Sequence, residues 1–124
     1  MDLLKQRIVK DGKVFPGNIL KVSGFLNHLI DSSLMKEIGK EICRLFEGEK
    51  ITKILTIEAS GIAIACAVAS ELNVPVLFAK KKTPSTMENM LVTEVFSFTK
   101  NKTYTVCVSG DYLKAEDQVL LVTS

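Results

Sequence analysis

The 124-residue chain contains no tryptophan and only 6% aromatic residues, so its core must be built from aliphatic side chains. It also lacks a long apolar run, since no stretch reaches the roughly 18–20 residues that a membrane-spanning helix needs. Strong charge of either sign is missing too. A net charge of +2 argues against the clustered basic face of a nucleic-acid or membrane-surface binder, so any handling of anions must be local. Cysteines are few and odd in number. Cys43, Cys66 and Cys107 lie far apart, without C-x-x-C spacing, each in an apolar run. They read as reduced core thiols of a cytoplasmic protein, not as metal ligands. The opening Met1–Arg7 alternates charged and apolar residues, unlike the apolar centre of a signal peptide. There is no internal repeat and no low-complexity tract. What remains, 47% hydrophobic and 24% charged, is the balance of one ordinary soluble domain.

Along the chain, Leu3, Leu4, Ile8 and Val9 group on one face of a predicted helix over Leu3–Val9, which Asp11-Gly12 ends. Val14-Phe15-Pro16-Gly17 reads as a turn, and residues 19–30 as an irregular apolar stretch. Asp31 or Ser32 can cap a second helix, in which Leu34, Met35, Ile38, Ile42, Leu45 and Phe46 repeat at helical spacing up to Gly48. The period then changes. Lys53–Ile57 is a short β-branched run suited to a buried parallel strand, followed by Glu58-Ala59-Ser60-Gly61 and a helix of small residues, Ile62–Leu72. Asn73 ends that helix and Val74–Ala79 supplies a second strand. A right-handed crossover makes the two strands parallel, and places the 58–61 turn at the carboxyl end of the sheet, where open α/β folds bind ligands.

Beyond it, Lys80–Thr86 reads as the start of a mobile polar loop, Leu91–Thr99 and Thr103–Ser109 as paired strands joined near Lys100–Lys102, and Asp111–Gln118 as a polar connection. Val119–Val122 begins a further buried strand. A parallel sheet that stops there, with no helix to cover it, predicts a domain cut short.

The segment Ile54–Ala63, with Val74–Lys81 after it, resembles the type I phosphoribosyltransferases, and more narrowly their xanthine and adenine branch. In that family the Glu-x-x-Gly turn between strand and helix is the pyrophosphate loop. Backbone N–H groups at a helix N-terminus, with a glycine that permits close approach, form a cradle for an anion. Residues 17–22, 23–31, 94–100 and 106–110 are similar, in the same order, to segments of the xanthine branch, so the resemblance runs along essentially the whole chain.

The resemblance implies an α/β domain, a Rossmann-like parallel sheet flanked by helices, with an N-terminal hood and an incomplete C-terminal end. Residues 1–30 would form the first helix and hood, and 31–124 the α/β core of a single domain. The implied reaction transfers a phosphoribosyl group from phosphoribosyl pyrophosphate, with Mg²⁺, to xanthine, a step of purine salvage in a cytoplasmic homodimer. Leu20 and Asn27 fall on the family's xanthine contacts: an apolar surface for a planar base, and an amide with both donor and acceptor for its oxo and N–H edges. Glu58, Ala59, Ser60 and Gly61 fall on the pyrophosphate loop. Lys80, where the family usually has Arg, and Lys81 fall on a basic pair that reaches the neighbouring subunit's pyrophosphate. Residues 84–92 correspond to a loop that closes over the reaction centre. The family's acidic pair would follow Val122, but Thr123-Ser124 stand there, so no catalytic or metal-holding residue is expected in these 124 residues and they are expected to be inactive alone. Two other classes accommodate the same resemblance: a ligand-sensing module of a purine-responsive regulator, and an inert truncated product.

Overall fold

In a computed structural model, the described residues are 1–15, 19–21, 23–81, 89–97 and 101–123, with backbone alone for 14, 15, 19–21, 23, 27 and 97. Helix α1 spans Asp2–Asp11. Leu4 and Ile8, one turn apart, pack toward the buried Phe25, Leu34, Met35 and Ile38. Leu3 and Val9 are exposed, contrary to the expected four-residue face, because each lies about 100° round the helix from that Leu4–Ile8 line. Strands β1 (Lys13–Phe15) and β2 (Ile19–Lys21) pair antiparallel, and Ser23–Asn27 forms a π-helical turn. The stretch expected to be irregular is therefore partly ordered. Three-residue strands are too short for a period of two to show in the sequence. Pro16 and Gly17 of the expected turn lie outside the described residues.

Helix α2 runs Ser32–Leu45, and Asp31 caps it by accepting from the Leu34 N–H at 3.1 Å. It stops short of Gly48, which turns the chain at φ 91°. Leu45 and Phe46, read as part of the apolar face, are exposed beyond the last turn that packs. Strand β3 (Lys53–Ile57), helix α3 (Ile62–Leu72) and strand β4 (Val76–Ala79) form the expected parallel unit, with Ile54 opposite Val76 and Ile57 opposite Ala79. Asn73 closes α3 in the left-handed region at φ 56°.

Strands β5 (Met90–Ser97) and β6 (Lys102–Ser109) make an antiparallel ribbon, and β7 (Val119–Leu121) pairs parallel with β3. The parallel sheet has the order β4-β3-β7. Thus β3 is central and β7 lies at the edge among the described residues rather than inside the sheet, with the uncovered apolar face that the sequence led us to expect. Only its α3 side is buried: Leu120 and Val122 join Ile54, Ala65, Val68 and Ala69, while Val119 and Leu121 are exposed. On the opposite face Ala79, Val106 and Val108 pack with Leu55, Ile57 and Leu77 under the ribbon.

Small residues on α3 let α2 come close: a Cβ at Gly39 would stand 2.8 Å from the Ala67 carbonyl carbon and oxygen. Cys107 is buried and Cys43 half-buried, but Cys66 is exposed, so the reading of three core thiols fails for it. Its apolar neighbours Ala65 and Val68 face the sheet, and the helical turn carries Cys66 away from them. No helix among the described residues is long and apolar enough to cross a membrane.

Candidate functional site

Because β3, β4 and β7 are parallel, their carboxyl ends share one edge of the sheet, and the turn Glu58–Gly61 emerges at its centre. The Glu58 N–H donates to the Ala79 carbonyl at 3.1 Å, extending the β3–β4 ladder by one residue. The Glu58–Ala59 peptide bond is cis. Ala59 and Ser60 are exposed and Gly61 is buried. Gly61 is the N-cap of α3, and no side chain caps the helix. The Ile62 N–H turns back to the Ala59 carbonyl at 3.2 Å, and the Ala65 N–H reaches Gly61 at 3.0 Å. An eleven-residue helix thus presents the positive end of its dipole at the ligand edge of the sheet.

The hood meets this turn across a cavity of about 460 Å³, lined by Leu26 and Ile30 on one side and Ala59, Ser60, Ile62 and Ala63 on the other. The structure therefore brings the segment carrying Asn27 to the segment carrying Ser60. Leu20 lies in β2 opposite Val14, and Asn27 ends the π-helical turn; their side chains are outside the described residues. Leu26, Ile30, Ile62 and Ala63 were not singled out from the sequence. Their only signal was apolar character within an apolar stretch, which says nothing about facing a cavity.

Arg7 anchors the hood. Its guanidinium donates to Asp11 at 2.6 Å and to Asp31 at 2.5 Å, and stands 5.1 Å from the centroid of the buried Phe25 ring. The Arg7 hydrogen bond, and then the Leu34 N–H, hold the Asp31 carboxyl below the usual carboxylate range. The Asp31 N–H in turn donates to the Phe25 carbonyl at 3.0 Å, closing the loop that carries Asn27.

The basic pair follows β4. Lys80 exchanges two backbone hydrogen bonds with Cys107, both 2.9 Å, which ties the end of β4 to β6. Its ammonium stands 5.9 Å from the Phe78 ring centroid, and that of Lys81 stands 5.0 Å from Tyr104. What reaches the turn is the Lys81 backbone, whose N–H donates to Glu58 Oε1 at 2.6 Å. Lys82–Glu88, which include most of the expected closing loop, lie outside the described residues. Among the described residues no group of three or more His, Cys, Asp or Glu could hold a metal ion. The uncapped start of α3 suits an anion, not a bare cation.

No protein-family model matches the chain. The fold is that of adenine phosphoribosyltransferases of known structure. The Giardia lamblia enzyme complexed with 9-deazaadenine superimposes with a TM-score of 0.72 at 21% identity, over 92% of this chain and 64% of that one. The enzyme of Thermoanaerobacter pseudethanolicus gives 0.71 at 19% identity, over 97% and 67%. These define the architecture as that of a type I phosphoribosyltransferase. In sequence the chain is 60% identical over 123 residues to a xanthine phosphoribosyltransferase of Clostridium novyi, and 55% identical to that of Ruminiclostridium cellulolyticum. Each match covers 98% of this chain, which spans about 65% of the length of those relatives. Over the part it spans, the chain is similar to the xanthine phosphoribosyltransferases.

Proposed function

We propose that the chain is part of a purine-salvage enzyme that transfers the phosphoribosyl group of phosphoribosyl pyrophosphate to xanthine, giving xanthosine monophosphate and pyrophosphate. The observation that carries this reading is a cavity shared by the hood and the start of α3, where no side chain caps the helix. One wall is apolar, as a planar base requires, and the other offers backbone donors at a helix start, as a leaving diphosphate requires. Leu20 and Asn27 are assigned to the base, and Ala59, Ser60 and Gly61 to the pyrophosphate.

Cleavage at the anomeric carbon develops oxocarbenium character, so the protein's task is to hold the two reactants in line and to stabilise charge on the departing diphosphate. Magnesium, a hard cation that keeps to oxygen ligands, would be held by the diphosphate oxygens and would offset their charge. The working form is taken to be a cytoplasmic homodimer, in which Lys80 and Lys81 approach the partner's diphosphate. These 124 residues hold the leaving-group side of the site and part of the hood.

The test is a titration of the folded chain with pyrophosphate and Mg²⁺, following backbone amide signals. Ser60 and Gly61 should shift at millimolar ligand, while amides of the β5–β6 ribbon, such as that of Thr93, stay still. A folded domain whose Ser60 and Gly61 signals do not move would refute the assignment. Xanthosine monophosphate formed by these residues alone, above an enzyme-free control, would refute the expected lack of turnover.

A further inference from the structure

The Glu58 carboxylate is an odd group to find in an anion cradle, since it would repel a diphosphate placed against it. Its partner explains its presence. Glu58 Oε1 accepts from the Lys81 N–H at 2.6 Å, while the Glu58 N–H donates to Ala79. Main chain and side chain of one residue therefore grip positions 79 and 81 of the neighbouring strand end. Lys80 between them is bonded both ways to Cys107. The backbone ladder between β3 and β4 has its last opposed pair at Ile57 and Ala79, where the chain turns away toward α3. The carboxylate continues that pairing one step further, across the point of departure.

We propose that Glu58 is a positioning residue: its carboxylate locks the anion turn to the Lys80–Lys81 strand end and does not itself contact pyrophosphate. The proposal rests on the reading of residues 58–61 as a pyrophosphate turn. The lock orients Ser60 and Gly61 from one side, while the start of α3 holds them from the other. It also fixes the direction in which the chain leaves β4, at the two lysines that carry positive charge.

A hydrogen-bond acceptor and a negative charge can be separated by substitution. Glu58→Gln keeps an oxygen in place of Oε1 and removes the charge, whereas Glu58→Ala removes both. Three readouts are taken on the folded chain: pyrophosphate–Mg²⁺ affinity, hydrogen exchange of the Lys81 amide, and the melting temperature. Glu58→Ala should bind about tenfold more weakly, the loss expected of a charge-assisted hydrogen bond, and its Lys81 amide should exchange faster. Glu58→Gln should recover most of the affinity and of the Lys81 protection. Equal weakening in both variants would mean that the charge is what matters, and would overturn the proposal. So would wild-type affinity, or an unchanged Lys81 amide, in Glu58→Ala. If the wild-type chain ignores pyrophosphate while its Lys81 amide still responds to Glu58→Ala, the reading of the turn fails and the binding role of the lock fails with it. That pattern is distinct from a wild type that binds and an alanine variant that binds as well.

Discussion

Gly39 of α2 is where the two helices come closest, and Gly39→Ala sets two effects of opposite sign against each other. Alanine in a helix interior is favoured over glycine by about 1 kcal/mol. The added methyl, however, would stand 2.8 Å from both the carbonyl carbon and the oxygen of Ala67, and 3.0 Å from its Cβ. Carbon atoms make their best contact at roughly 3.5–4.0 Å. The obstruction is mostly backbone, so no rotamer change relieves it, and α2 must move off α3 by roughly 0.7 Å. That movement would loosen Leu34, Met35 and Ile38 against Ala63 and Ala67. Overpacking of this kind costs about 1–3 kcal/mol and more when backbone must shift. The cost should exceed the propensity gain, leaving Gly39→Ala destabilised by about 1–2 kcal/mol. For a chain of this size the melting temperature should then fall by roughly 4–8 °C. Thermal melts followed by circular dichroism decide it, with Gly24→Ala as the comparison, because a Cβ at Gly24 meets nothing within 4 Å. A Gly39→Ala variant as stable as wild type would show that the helix pair yields, and the argument from close approach would be wrong.

Two further outcomes follow from single side chains. The Thr56 hydroxyl is fully buried in β3 with no hydrogen-bond partner among the described residues, so the near-isosteric Thr56→Val should stabilise the fold by about 1 kcal/mol, read from urea unfolding. A loss of stability in that variant would mean that the hydroxyl is satisfied after all. Asp117 accepts from the Lys114 N–H at 2.9 Å, the Lys53 ammonium at 3.1 Å and the Thr52 hydroxyl at 2.9 Å. These contacts, the Lys114 N–H first, hold its carboxyl at about 2 against an ordinary 3.8. Since the folded value is the lower one, the stabilisation is full above about pH 4 and is lost as pH falls through 2. Asp117→Asn should therefore melt below wild type at pH 6, with the gap closing between pH 4 and pH 2; a gap that stays constant across that range would contradict the linkage.

Local sequence determined a good deal of this protein. Lys53–Ile57 and Ile62–Leu72 form the predicted strand and helix, residue for residue, because a β-branched run and a helix of small residues differ sharply in period and in local backbone preference. The Glu58–Gly61 turn could be placed for the same reason, since it is what joins them. The tertiary structure decided what depends on partners distant in the chain. The side chain of Glu58 carries no signal that it will meet the backbone of a residue 23 positions on, nor that of Arg7 that it will meet Asp31, 24 positions on. That Leu26 and Ile30 would line a cavity with Ser60, and that β7 would take an edge, depends on which element packs against which. Hydrophobicity is blind to that choice, because burial free energy is nearly the same whichever apolar neighbour supplies it.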